Sequence, residues 1–147
     1  MTAFLLDVNV LIALGWRGHS HHSLVVNWFA RHKAQGWATC PFTQSAFVRI
    51  VSNPAFSVHA VPPTEALSVL NANIANPSHR FWADNLALGD AIGRFGDRIV
   101  GHRQVTDAYL LGLAIHRKGK LATLDRAILD LLPEGSPQRA SVEIIGK

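Results

Sequence analysis

Asp7 in LLDVNVLIAL, Asp107 in QVTDAYLLGLA and Asp125 in LATLDRAI each stand where an apolar run meets a polar one. A fourth segment of similar character, PFTQSAFVRIVSNP, carries an amide, Gln44, near its start. A carboxylate at the junction of a strand or helix with a loop presents its charge without being fully buried. If a parallel sheet gathers Asp7, Asp107 and Asp125, their oxygens make a hard ligand set suited to Mg2+ or Mn2+. Taken singly, each has a structural reading as well: Asp7 as a turn residue, Asp107 as part of a helix cap, and Asp125 as the cap of a helix beginning Arg126-Ala127-Ile128.

The elements that must position these groups alternate. Ala3 to Leu6 reads as a buried strand feeding directly into an apolar helix over Val8 to Leu14, the opening of an α/β unit. Ser20 to Gln35 is an amphipathic helix with Leu24, Val25, Trp28 and Phe29 on one face, stopped by Gly36. A strand over Trp37 to Cys40 precedes a helix introduced by Pro41 and Thr43 and closed by Ser52-Asn53-Pro54. Another helix follows Pro62-Pro63-Thr64, with Asn76-Pro77-Ser78 ending it. Phe81-Trp82 is a short strand, and Leu86 to Phe95 a short helix for which Asp84 is the expected N-cap. Thr106 is placed to cap a helix over Asp107 to Arg117, and strands are expected over Leu121 to Leu124 and Ser141 to Ile145. This alternation predicts a parallel sheet covered on both faces, with ligands beyond the carboxyl ends of its strands.

At 147 residues and 48% hydrophobic, the chain is sized for one domain, 1–147, with a substantial core. No stretch approaches the roughly eighteen continuous apolar residues of a membrane span, and the N-terminus lacks a basic region ahead of its apolar run. A cytoplasmic protein is expected. The formal charge of +4 and pI near 9.8 suit an anionic partner. Cys40 is the one cysteine, which excludes an internal disulfide and a cysteine-based zinc site, and its apolar flanks indicate a buried thiol. His19 and His22 have no acidic or cysteine neighbour to complete a metal site and read as packing or capping groups. Signatures of serine hydrolases, P-loops and dinucleotide folds are absent.

DVNVLIAL, FVRIVSNP, VTDAYLLGLA and LATLDRAI, in this order over nearly the whole chain, resemble the PIN-domain ribonucleases, most closely the VapC-type toxins of bacterial toxin–antitoxin pairs. The resemblance implies a PIN-like three-layer α/β/α fold with a central parallel sheet. It also implies a metal-dependent endoribonuclease that cuts looped or single-stranded RNA, as in tRNA or rRNA, with metal-activated water. Asp7, Asp107 and Asp125 match the family's metal-site aspartates, Asn9 the polar residue after the first, and Thr123 is placed to orient the cluster with its hydroxyl. Where the family has a glutamate this chain has Gln44, one charge fewer, so a single weak Mg2+ or Mn2+ site is expected in the free protein. Asp84 and Asp90 are the acids available to compensate, Asp84 more at the rim than as a ligand.

His102 and Arg103, with Arg98 behind them, are placed to touch phosphate, and Arg49 either pairs with a site carboxylate, the reading preferred here, or snorkels to the surface. Trp16 and Trp82, beside loops, are the tryptophans left free to stack on bases. The resemblance further implies a small VapB-like antitoxin whose C-terminal segment crosses the acidic crevice, and a homodimer formed through the early helices. Two other readings compete. A haloacid-dehalogenase-like phosphatase needs an aspartate where this chain has Asn9, and ranks low; a PIN-like module that binds RNA or a partner without cutting is favoured by Gln44.

Overall fold

The computed structural model describes residues 2–146. Five short parallel strands form one sheet: β1 (Phe4–Leu6), β2 (Trp37–Thr39), β3 (His79–Phe81), β4 (Lys120–Thr123) and β5 (Val142–Ile144), in the order β3-β2-β1-β4-β5. The helices are α1 (Val8–Gly15), α2 (His22–His32), α3 (Pro41–Val51), α4 (Pro63–Ile74), α5 (Leu88–Ile92) and α6 (Gln104–His116). Every chain crossover returns to a parallel strand, so the sheet is covered on both faces, as its alternating sequence requires.

Side chains alternate along a strand, and here they divide the core in two. Leu5, Ala38 and Leu121 join Phe95, Leu110 and Leu113 on the face covered by α5 and α6. Phe4, Leu6, Trp37 and Ala122 join Val10, Val25, Phe47 and Leu70 on the face covered by α1 to α4. The expected three-layer α/β/α arrangement is therefore observed. Among the described residues no helix is long and apolar enough to cross a membrane.

Several boundaries shift from their sequence expectations. α2 starts at His22 and gives way to a 3₁₀ turn over Lys33–Gln35, which Gly36 ends with φ of +97°, the left-handed conformation a stop glycine supplies. α6 begins at Gln104, so Thr106 lies inside it and does not cap it. The Gln104 side chain instead fixes the entry, accepting from the Val100 and Gly101 amides at 2.7 and 3.1 Å and donating to the Arg98 carbonyl. The helix after Trp82 starts only at Leu88, with Ala87 at its N-cap, so Asp84 is free of the capping role expected of it. α5 and α6 touch at Gly112, where a Cβ would collide with the backbone carbonyl of Ala91. The absent side chain lets α6, which carries Asp107, pack directly against α5.

Candidate active site

The strand order reverses direction between β1 and β4: the chain goes outward from β1 through β2 to β3, then returns to add β4 and β5 on the other side. Loops leaving β1 and β4 diverge there, which opens a crevice beyond the carboxyl ends. Asp7 directly follows β1 and Asp125 lies two residues beyond β4.

Asp7 is only 7% exposed. It caps α1, its Oδ1 accepting from the Val8 amide at 2.7 Å, and its Oδ2 accepts from the Thr123 hydroxyl at 2.7 Å. Thr123 is opposite because Leu6 registers with Ala122, one residue earlier on each strand. The same hydroxyl oxygen accepts from the Asp125 amide at 3.1 Å and from Asn9 Nδ2 at 3.5 Å. Asn9 Oδ1 takes a long bond from the Leu124 amide, 3.4 Å. Asn9 and Thr123 thus tie the end of β1 to the end of β4. Burial pushes the Asp7 carboxyl above its ordinary range, the bonds from Thr123 and Val8 pull it back, and the charge of Asp125 adds to the rise.

Asp125 spends one oxygen capping a 3₁₀ turn over Arg126–Leu131, accepting from the Ala127 amide at 2.9 Å, so its structural and chemical readings coexist. Asp107, the fourth residue of α6, faces both other acids. Burial, then the charges of Asp7 and Asp125, push its carboxyl up to about 6. The fold has gathered like charges, and a divalent cation is what relieves such repulsion. Asp107 and Asp125 line a crevice of about 370 Å3 together with Arg103, Gln104, Ile128 and Asp130. Asp7, more deeply set, is not on its wall.

Among the described residues no three His, Cys, Asp or Glu side chains stand close enough to form a ready metal cage. The donor set nevertheless fits a hard divalent ion: all oxygen, anionic, and coupled through charge. It fits zinc poorly, since Cys40 is buried with its thiol pushed up by desolvation, and His22 is engaged with the Ala13 carbonyl at 2.7 Å.

The remaining sequence candidates divide. Arg103 is on the crevice wall and His102 is exposed beside it. Arg98 reaches the Asp130 carbonyl at 3.4 Å. Gln44 donates from Nε2 to Thr39 Oγ1 at 2.9 Å, and Thr39 Oγ1 lies 2.7 Å from His79 Nε2. Thr39 Oγ1 thus accepts from Gln44 and shares a second bond with the His79 ring, whose imidazole burial lowers. The expected pairing of Arg49 with a site carboxylate is not formed: Arg49 is exposed on α3, and among the described residues no arginine or lysine stands within salt-bridge distance of a carboxylate. An arginine flanked by apolar residues in sequence still faces water when α3 turns that position outward. Asp90 is exposed on α5, and Asp84 accepts from the Tyr109 hydroxyl at 3.3 Å. Trp82 is buried, which removes it as a base-stacking group.

Asp130 was not among the sequence candidates. Its signal was available, an acid five residues after Asp125 in RAILD, but a 3₁₀ turn rather than an α-helix brings it to the crevice.

The family model for the PIN domain matches residues 4–132 of the chain. The chain is 43% identical over 137 residues to Ribonuclease VapC39 of Mycobacterium tuberculosis strain H37Rv, covering 92% of this chain and 96% of that protein. It is 45% identical over 127 residues to Ribonuclease VapC38 of the same strain, covering 86% and 88%. In structure it is similar to a chain of the crystal structure of VapBC2 from Rickettsia felis bound to a DNA fragment from their promoter, with a TM-score of 0.64, 11% identity, and coverage of 93% and 95%.

Proposed function

Because this chain belongs to the PIN-domain family, as a VapC-type ribonuclease, we propose that it is the toxin of a toxin–antitoxin pair and cuts RNA with Mg2+ or Mn2+ held by Asp7, Asp107 and Asp125. One observation carries the metal: Asp7 just beyond β1, Asp107 on α6 and Asp125 just beyond β4 converge, so that the charges of Asp7 and Asp125 add to burial in raising Asp107 to about 6. When bound, the ion supplies activation of water for attack on phosphorus and neutralisation of phosphate charge. The protein's own groups do the positioning. Thr123 and the Val8 amide fix both oxygens of Asp7, and the Ala127 amide fixes one of Asp125. Arg103 and His102 hold the phosphates that flank the cut, and Asp130 adds negative charge at the rim. The substrate is a single-stranded or looped segment of structured RNA, which reaches the crevice more readily than a stacked duplex does.

A VapB-like antitoxin as partner is supported by the solved VapBC2 neighbour. A homodimer through the early helices is supported by Leu24 and Val26, exposed on α2. The test is a purified-protein incubation with total cellular RNA in Mg2+, in Mn2+ and in EDTA, beside Asp7→Asn. Discrete metal-dependent products missing from the variant support the reading. A second reading, RNA or partner binding without cleavage, is favoured by the uncharged Gln44 and the absence of a ready cage among the described residues. Intact RNA from a folded protein decides for it.

A further inference from the structure

At the same edge of the sheet, beyond β2 and β3, lies a second hollow of about 290 Å3 lined by Pro41, Phe42, Ser45, Ala46, Arg49 and Asp84. Phe42 is 44% exposed, yet one face of its ring stacks on Tyr109, with centroids 5.6 Å apart and planes 29° from parallel. An aromatic side chain held from behind by another ring is a preorganised platform with its outer face free. Tyr109 also donates its hydroxyl to Asp84 Oδ1 at 3.3 Å. Arg49 stands on the hollow's wall, with no ion-pair partner among the described residues. The hollow and the carboxylate site draw on the same elements: Tyr109, behind Phe42, is two residues after Asp107 on α6, and Pro41 and Phe42 follow β2, which pairs with β1, the strand that Asp7 follows.

We propose that this hollow receives one unpaired guanine of the RNA strand cut at the carboxylate site: Phe42 stacks on the base, Asp84 accepts from its Watson–Crick edge, and Arg49 holds an adjoining phosphate. The chemistry of the lining selects the base. Guanine presents two adjacent donors, N1–H and N2–H, which a carboxylate accepts together. Uracil offers a single N–H between two carbonyls that a carboxylate repels, and adenine and cytosine offer an amino group beside a ring acceptor. Arg49 supplies the cation that a nucleotide, unlike an uncharged ligand, requires. The inference rests on the ribonuclease reading, in which RNA crosses this edge of the sheet.

The test is fluorescence anisotropy of the full chain in EDTA, where nothing is cut, with labelled oligouridine strands about nine nucleotides long. The strands carry a central guanosine, a central inosine, which lacks the N2 amino group, or no replacement. The guanosine strand binds roughly fivefold or more tightly than oligouridine, and inosine loses most of that gain. Asp84→Asn abolishes the preference, and Phe42→Ala weakens binding of the guanosine strand by about fivefold or more whereas Phe42→Tyr preserves it. Equal binding of all strands, no binding of any, or a preference that survives Asp84→Asn overturns the proposal. So does Phe42→Ala dissociating a dimer in sedimentation while RNA affinity stays unchanged, which assigns this face to a second copy. Cleavage is not read, so failure here leaves the nuclease reading to its own Asp7→Asn test.

Discussion

Thr123, the last residue of β4, gives its hydroxyl hydrogen to Asp7 at 2.7 Å across the junction with β1, although the two are 116 residues apart. The bond joins the ends of the strands where the sheet order reverses. It also meets a buried carboxylate with the donor it needs. Loss of a donor to a buried ionised group costs about 1.5–3 kcal/mol.

Thr123→Val keeps the shape and removes that donor. Its expected effects are a loss of about 2 kcal/mol in urea unfolding and weaker Mg2+ binding, because Asp7 then holds its proton to higher pH. Thr123→Ser restores most of both. Calorimetric Mg2+ titration of the two variants, beside urea unfolding, checks it; unchanged affinity in Thr123→Val counts against an orienting role for this hydroxyl.

The raised Asp107 carboxyl sets a pH dependence with a definite sign. Its value is about 6 in the folded protein against 3.8 for an unperturbed aspartate. Between these values the unfolded chain has released the proton while the folded chain keeps it. The contribution to stability is therefore full below 3.8 and is lost as pH rises through about 6. In EDTA, Asp107→Asn removes this part of the slope when unfolding is followed from about pH 4 to about pH 7. Mg2+ affinity of the wild type falls as pH drops below about 6, where protons compete for Asp107.

Gln44→Glu returns the charge this chain lacks. It is expected to tighten Mg2+ binding by roughly threefold or more, since hard-ion affinity follows ligand charge. In EDTA it lowers stability, because a carboxylate at that position cannot donate to Thr39 as the Gln44 amide does at 2.9 Å. Mg2+ titration and melting in EDTA read the two opposing effects separately.

Gly112→Ala tests the support of the site from a distance. A methyl group there meets the Ala91 carbonyl on α5, so the helices must part. The expected cost is about 1–3 kcal/mol in denaturant unfolding, with reduced cleavage because α6 carries Asp107. Gly89→Ala, where a Cβ meets nothing within 4 Å, is the control on α5.

The parts of this molecule that were legible in sequence are those written in local periodicity. Apolar strands ending at Asp7 and Asp125 and the stop at Gly36 needed only neighbours to be recognised. What could not be read depends on tertiary contact. Thr106 has the chemistry of a cap, but Gln104 anchors the loop two residues earlier through Val100 and Gly101. Asp84 likewise suited a cap and instead meets Tyr109, 25 residues away. Of the two directions open to Arg49 in sequence, a site carboxylate or the surface, the structure gives the surface, because the helix phase at that position, not its apolar neighbours, decides its direction. The Gln44–Thr39–His79 chain and the arrival of Asp130 at the crevice arise from strand register and from a 3₁₀ turn, neither of which leaves a periodic mark.

Whether Asp7, Asp107 and Asp125 act as one divalent-ion site for cutting RNA is decided by the rate of RNA cleavage against Mg2+ concentration for the wild type and Asp107→Asn at one pH above about 7. With such a site, the wild-type rate is zero in EDTA and saturates with Mg2+, and the variant's rate is lower by about a hundredfold or more, as for loss of a group that stabilises transition-state charge. Cleavage by the wild type in EDTA, or a variant that follows the wild-type curve, contradicts such a site.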